Sequence, residues 1–556
     1  MSDLTIRPFF WRPTNLFPET RLVSRTHDGI VDTSYGEFGE RVRALLAALS
    51  DRGFGHGDRI GTFGWNHHRH LETYYAAPLS GAQLHTINVQ LGDDDVVYIV
   101  EDADDDILFV DPGEPFETIE RLWSELSVEQ VVVMDETVPE TSIDAVAYED
   151  LVAEYDPIPE SEMPDLEEEY PAGMCYTSGT TGRPKGVEYT HKMIYAHAMM
   201  VMTPAGLGIE ERDVVMPVVP MFHVNSWEFP YAATMAGATQ VYPGPSPSAA
   251  DLLELIEREG VTMTAGVPTV WINLLEHVDE HGGDLSSLER IVVGGSAAPE
   301  EMMRRYDEEF DVTVEHAWGM TETMSIGSVS RPKSRMADWD PSRKYEKRRK
   351  QGLLSPGLEM RVVNDDGEEV PWDGESAGEL WVRGPTVITE YYNRPEANEE
   401  DFEGGPASDA SGTSEDVSSS GKWLKTGDIV SVDEDGYIEV VDRAKDVIKS
   451  GGEWISSIAL ENALMANPDV VESAVVGVPH EKWQERPLAT VVTAEDADPD
   501  EDELYEHLQE TLEQPDWWLP DEIRVVERIP KTATGKFDKQ GLREKLDVGD
   551  AETEDQ

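Results

Sequence analysis

The chain has 556 residues, of which 113 are Asp or Glu and 44 are Lys or Arg, for a formal charge of −69. Nucleic acid and anionic membranes both reward a basic face, so this balance excludes them as general partners and leaves a solvated acidic shell suited to concentrated salt, a halophilic composition. A solitary Cys175 allows no internal disulfide, and no apolar run approaches the ~20 residues a bilayer requires.

The start, MSDLTIRPFFWRP, lacks an apolar core preceded by basic residues and so does not read as a signal peptide. With the lone cysteine, this sets the expectation of a cytoplasmic protein without stable membrane insertion. The length predicts roughly three or four compact units. HHRH (67–70) offers three imidazoles to a metal but sits where a loop is expected, and the metal reading is the weaker one.

YTSGTTGRPKGV (176–187) gathers hydroxyls, glycines and two cations with no carboxylate, against the trend of the whole chain. It fails the commonest phosphate-loop template, because Lys185 follows Pro184 and precedes Gly186. The physical ingredients for anion binding survive. Gly179, Gly182 and Gly186 let backbone N–H groups approach a phosphate, Thr177, Ser178, Thr180 and Thr181 add donors, and Lys185 adds charge. A flexible turn is the alternative, and the missing acids weigh against it.

DLLELIEREG (251–260) puts Leu252, Leu253, Leu255 and Ile256 on one helical face, and Gly260 ends the run. LERIVVGGSAAPEEMMRRYDEEF (288–310) predicts a buried strand, a turn at Gly294 and Gly295, and a helix opened by Pro299 with Glu300 and Glu301 in its first turn. A further strand is expected in DVTVEHAW (311–318). Such alternation argues for layered α/β structure with mostly parallel sheets, whose ligands sit at the carboxyl ends of strands. Within EHAWGMTETMS (315–325), Trp318 has a π-face, Thr321 a hydroxyl and Glu322 a hard oxygen ligand, although a lone Glu is more often a solvated surface residue.

FEGGPASDASGTSEDVSSSG (402–421) reads as a surface loop, and 547–556 as an acidic tail. In KWLKTGD (422–428), Asp428 could accept hydrogen bonds from sugar hydroxyls. Arg443, Lys445, Lys449 and Lys536 are cations in a region otherwise full of acids. A shorter unit follows, with a helix near 458–465 and strands at 470–478 and 488–494, and a domain boundary is expected at Asp442.

In this order the segments resemble the adenylate-forming superfamily of acyl-CoA synthetases, firefly-type luciferases and peptide-synthetase adenylation domains. VVPMFHVNSWEFPYAA (218–233), TAGVPTVW (264–271), VVGGSAAP (292–299) and IKSGGEWISSIALENAL (448–464) look most like the fatty acyl-CoA synthetases. The resemblance implies a large N-terminal domain of layered α/β sheets with a small β-rich subdomain, residues 1–441, and a mobile α+β lid, residues 442–546. It implies a two-step ligase using ATP, Mg²⁺ and coenzyme A on a fatty acid, and it leaves a homodimer open.

Residue by residue, the resemblance makes Thr177 and Glu322 Mg²⁺ ligands and Thr321 an α-phosphate contact. His316, Ala317 and Trp318 would line the adenine site, Ser296 and Gly319 would also meet the cofactor, and His223, Trp227 and Gly295 would border the acyl pocket, unless His223 and Trp227 only pack the core. Asp428 would hold the ribose with Arg443 beside it, and Lys445, Lys449 and Trp454 would add contacts from the lid. Lys536 would bridge the substrate carboxylate and the α-phosphate. Because Lys536 lies far along the chain from the phosphate loop, the small domain must close over the large one, and the resemblance implies a rotation about Asp442. Ser178 stands where Thr is more usual and Trp318 where Tyr is commoner, which keeps a hydroxyl and a stacking surface. Two other readings remain: an aryl or other acid, or another acyl acceptor; and a non-catalytic adenylate-binding module, against which Lys536, Glu322 and Asp428 argue.

Overall fold

The computed structural model describes residues 3–177, 183–404, 421–450, 453–480, 482–494, 497, 499–512, 515–531 and 537–546. These fall into two compact units, one built from 3–177, 183–359 and 382–424, the other from 360–381 and 425–546. Among the described residues no helix is long and apolar enough to cross a membrane.

The first unit holds two large sheets. One runs, edge to edge, Leu353–Leu354, Ser328–Val329, Thr313–Trp318, Arg290–Val293, Met263–Gly266, Val214–Pro217, Thr239–Tyr242, Arg21–Thr26, Gly29–Ser34. Its six middle strands are parallel and its outer pairings antiparallel. The other runs Ala145–Ala147, Gln130–Val133, Ile107–Val110, Arg59–Phe63, Gln83–Thr86, Pro171–Tyr176, Gly186–Thr190, and only its last pair is antiparallel. The parallel strands are short apolar runs such as Ile107–Val110 and Arg290–Val293, as burial on both faces requires.

Local chemistry accounts for the helices between them. Ala249–Glu259 begins with a reciprocal cap between Ser248 and Asp251, buries Leu252, Leu253, Leu255 and Ile256, and stops at Gly260, whose φ is 66°. Glu300–Phe310 follows Pro299 and carries Glu300 and Glu301 in its first turn, where acids favour the helix dipole.

HHRH is not in a loop. His68–Ser80 is a helix, and His67 is its N-cap, accepting from His70 N through Nδ1 at 3.2 Å. The His67 Nε2–H donates to Asp111 Oδ1 at 2.6 Å, while His70 pairs with Trp65 O at 2.8 Å and Thr62 Oγ1 at 2.9 Å. Both rings are therefore consumed by capping and core hydrogen bonds, and burial holds the His68 and His70 pKa values below the usual range.

In the second unit, Ile438–Arg443 pairs antiparallel with the later part of Trp423–Val432. Beyond it, Val470–His480 and Gln484–Thr493 form a long hairpin, flanked on one side by Ile448–Ser450 and Glu453–Ile455 and paired in parallel with Glu522–Val525. The first strand runs two residues past the expected 470–478, and the second begins four residues before the expected 488–494 and ends one residue short of it. Ser457–Met465 and Glu501–Thr511 pack Leu460, Leu464, Leu504 and Leu508 against Val475, Ala489 and Val491.

Candidate active site

The parallel strands Val214–Pro217, Met263–Gly266, Arg290–Val293 and Thr313–Trp318 are in register, so their carboxyl ends lie along one edge. Each sequence segment expected to meet the nucleotide or acyl group in this sheet leaves that edge: His223 after the first strand, Gly295 and Ser296 after the third, and Gly319, Thr321 and Glu322 after the fourth. Open parallel sheets bind ligands at such edges.

Gly294 to Ser296 make a tight turn in which Gly295 has φ 83° and Ser296 is exposed. The Trp227 ring lies against Gly294, where an added Cβ would sit 3.0 Å from it. Trp227 is buried, His223 half-buried. Trp227 also belongs to an unusual stretch: Val224, Asn225, Ser226, Trp227 and Glu228 all have φ between 44° and 61°. Left-handed backbone costs roughly 1–2 kcal/mol per L-residue. Here it is pinned by buried polar side chains, with Ser226 Oγ donating to Val219 O at 2.7 Å and Asn225 Oδ1 accepting from Thr86 Oγ1 at 3.2 Å.

His316 and Ala317 sit inside Thr313–Trp318 and are buried. The His316 Nδ1–H donates to Arg349 O at 2.8 Å, and burial lowers its pKa, so the ring is neutral. Beyond Trp318 the chain doubles back, with Gly327 N donating to Trp318 O at 2.8 Å. A Cβ on Gly319 would lie 1.2 Å from Ser325 O, and one on Gly327 would strike the Trp318 ring. Glycine at 319 is thus set by the close approach of two backbone segments.

The turn Thr321–Thr323 follows, and Glu322 is only 6 % exposed, so it is not a solvated surface acid. Its carbonyl accepts from Ile388 N at 3.0 Å, and its Oε1 accepts from the Tyr391 hydroxyl at 2.9 Å. Thr321 O accepts from the Tyr189 hydroxyl at 2.7 Å, which joins this turn to the strand Gly186–Thr190 of the other sheet.

That strand is one arm of the hairpin carrying YTSGTTGRPKGV. Ser178, Gly179, Thr180, Thr181 and Gly182 lie outside the described residues, but the neck of the hairpin is clear. Thr177 N donates to Lys185 O at 3.0 Å, and Lys185 N donates to Thr177 Oγ1 at 3.1 Å. The Lys185 ammonium is 2.6 Å from Asp401 Oδ2 and 4.4 Å from the centroid of the Tyr391 ring. Tyr391 therefore touches both Lys185 and Glu322. Burial, and then the charges of Glu322 and Asp401, push its phenol pKa far up, so it stays a donor.

Thr177, Lys185, Thr321 and Glu322 are thus brought to one place by Tyr189, Tyr391 and Asp401, none of which the sequence singled out. A Tyr in a run such as EYYNRPEANEED (390–401) carries no local signal of this role. The donors present, a buried carboxylate and a hydroxyl, are hard oxygens of the kind Mg²⁺ takes, so the residues fit that ion.

In the second unit, Asp428 and Arg443 face each other across a strand pair, with Arg443 Nε 2.7 Å from Asp428 Oδ1. Asp428 is buried, while the Arg443 side chain is 41 % exposed. Lys449 and Trp454 are paired in the hairpin of Ile448–Ser450 with Glu453–Ile455, Lys449 exposed and Trp454 half-buried. Lys445 is exposed on the turn after Arg443. Lys536 lies outside the described residues.

A family model described as AMP-binding enzyme matches residues 10–392, and one described as AMP-binding enzyme C-terminal domain matches 459–536. A long-chain-fatty-acid–CoA ligase of Thermus thermophilus is 43 % identical over 545 residues, 98 % of this chain and 96 % of that protein. A medium-chain-fatty-acid–CoA ligase of Ectopseudomonas oleovorans is 39 % identical over 513 residues, 91 % of this chain and 89 % of its own. Among solved structures, the o-succinylbenzoate coenzyme A synthetase of Bacillus subtilis, in complex with ATP and magnesium ion, superposes with a TM-score of 0.77 at 26 % identity, covering 96 % of this chain and 99 % of that one.

Proposed function

The chain belongs to the AMP-binding enzyme family, and from that premise we propose that it is an ATP-dependent fatty acid–CoA ligase acting on medium- or long-chain acids. A fatty carboxylate oxygen bonds to the α-phosphorus of ATP while the bond to the β-phosphate oxygen breaks, which releases pyrophosphate and leaves an acyl-adenylate. The thiol sulfur of coenzyme A then bonds to the acyl carbon, AMP departs, and the thiol gives its proton to solvent. The observation that carries this reading is the convergence of the hairpin neck at Thr177 and Lys185 with Glu322 on the single side chain of Tyr391.

Two anions meet in the first step, so the site must supply positive potential and donors while keeping water out. The segment after Thr177 would cradle the β- and γ-phosphates with backbone N–H groups, and Lys185 adds charge at its base. Thr177 and Glu322 would hold Mg²⁺, which when bound offsets the negative charge of the phosphates. Tyr391 occupies one oxygen of Glu322 and so orients its carboxylate. Thr321 would contact the α-phosphate, Trp318 would stack on adenine, and the turn at Gly295 would border the acyl pocket. Asp428 would accept from the ribose hydroxyls, with Arg443 paired to it at 2.7 Å. Lys445, Lys449 and Trp454 would add adenylate contacts, and His223 and Trp227 would border the acyl chain. Lys536 would sit between carboxylate and α-phosphate during adenylation, then withdraw as residues 442–546 turn about Asp442 to admit the thiol.

The test is ATP–pyrophosphate exchange in concentrated salt with straight-chain acids of graded length and an aryl acid, followed by thioester formation with coenzyme A. Exchange and thioester with medium or long chains are expected. Exchange without thioester would replace coenzyme A with another acceptor, and no exchange with any acid would remove the ligase reading.

A further inference from the structure

Lys539 opens the helix Lys539–Lys545, where a cation meets the positive end of the helix dipole. A cation so placed needs compensation, and the second unit supplies it in a buried relay. The Lys539 side chain is 12 % exposed, with its ammonium 2.7 Å from Glu461 Oε1. It also donates to Ser457 Oγ at 2.5 Å. Ser457 in turn donates its backbone N–H and its hydroxyl to Asp442 Oδ2, each at 2.6 Å. The other oxygen, Asp442 Oδ1, accepts from Arg443 N at 2.8 Å. Glu461 is held independently by Val475 N at 2.8 Å, in the long hairpin. Asp442 is 1 % exposed and Glu461 7 %, so both carboxyl groups are out of water; Glu461 is ion-paired with Lys539, and Asp442 is held by hydrogen bonds from Ser457 and Arg443 N.

The relay leads to a particular stretch of chain. Lys531 and Phe537 form an isolated antiparallel bridge, and Asp538 N donates to Pro530 O at 2.9 Å, so the described residues on either side of 532–536, the interval that holds Lys536, are tied together. Lys539 comes directly after that tie.

We infer that Lys539 is a positioning residue: through Ser457 it ties the side chain of Asp442, the pivot, to the residues that flank the interval holding Lys536, so that the pivot and the reach of that lysine are set together. This rests on the roles given above to Asp442 and Lys536. A buried ion pair that only holds the unit together would instead affect both half-reactions alike.

The experiment measures the halves separately: ATP–pyrophosphate exchange, and thioester formation from a supplied synthetic acyl-adenylate and coenzyme A. Because Lys539→Met alone strands Glu461 in the interior, the variant used is Lys539→Met/Glu461→Gln, with Lys539→Arg as the conservative partner. The double variant should lower kcat of exchange by ten-fold or more with KM for ATP within three-fold, and leave thioester formation within three-fold. Lys539→Arg should recover at least half of the lost exchange. Ser457→Ala keeps the Lys539–Glu461 pair and removes only the hydroxyl link, so it should show the same split even if the double variant does not fold. Equal loss in both halves, or unchanged exchange in Ser457→Ala, would overturn the inference. Absence of exchange in the unmodified enzyme would strike the ligase reading instead.

Discussion

Glu228 is a carboxyl group with no solvent exposure. Its Oε1 accepts from Asn225 Nδ2 at 3.1 Å, and its Oε2 has no hydrogen-bond partner among the described residues. Burial raises its pKa well above the ordinary value, so the fold holds it neutral. A folded pKa above the unfolded one means that the native chain binds the extra proton. Its stabilisation is whole below the unfolded pKa of 4.5 and drains away as pH rises through the folded value. The slope is about 1.4 kcal/mol per pH unit within that window. Glu228→Gln keeps shape and neutrality, so its stability should fall less than the parent's between pH 5.5 and 8 in denaturant titrations; parallel curves would show that Glu228 does not carry the proton. A second residue-scale prediction concerns Lys536. As a point charge at the first transition state, its loss should cost about 10²–10³ in adenylation rate, by analogy with a lost oxyanion donor. Lys536→Ala should therefore stop ATP–pyrophosphate exchange and spare thioester formation from supplied acyl-adenylate, and equal loss of both would refute its role.

Among the elements, the turn from Gly319 to Gly327 shows most directly how backbone geometry sets the site. Since Ser325 O occupies the place of a Cβ on residue 319, Gly319→Ala must push the two strands of the turn apart. The expected loss is about 3 kcal/mol or more, in the range of severe backbone strain, together with exchange activity, because Glu322 lies between the displaced segments. Denaturant melts and exchange assays read both, and a folded, active variant would contradict the geometry. Elements of this kind were legible from sequence where one local rule decided them: the Ser248 cap and Gly260 stop of Ala249–Glu259, or Pro299 before Glu300–Phe310. HHRH misled because a histidine as N-cap looks like any polar run until Asp111, 44 residues away, takes its other nitrogen. Trp318, Thr321 and Glu322 were recognisable as a cluster, yet Tyr391 and Asp401 were not, since what selects them is contact across 69 and 216 residues of chain. The left-handed run Val224–Glu228 was equally hidden: Val and Trp disfavour that backbone, and only the pins from Asn225 and Ser226 explain it.

At the scale of the whole molecule, the surplus acid is handled by position. Helix Asp93–Ala103 opens with Asp93, Asp94 and Asp95, and Glu501–Thr511 with Glu501, Asp502 and Glu503, at the ends where the helix dipole favours them. Among the described residues, the buried Arg69 is paired with Glu149, and the half-buried Arg41 with Glu72 and Glu149. What remains is mutual repulsion of exposed carboxylates, which acts over the Debye length, about 10 Å at 0.1 M salt and about 3 Å at 1 M. Raising KCl from 0.1 to 2 M should therefore raise the melting temperature, and a flat or falling curve would mean that the acidic shell does not limit stability. The same field bears on the nucleotide. A tetra-anion approaching a molecule of charge −69 is repelled at long range, whereas the local donors of the phosphate loop act only on contact. Screening removes the first effect more than the second, so the apparent KM for ATP should fall as KCl rises from 0.1 to 1 M, opposite to the behaviour of a site whose anion is drawn in by a basic surface. A KM that rises over that range would show that local positive potential, from groups such as Lys185, outweighs the repulsion of the whole chain even at a distance.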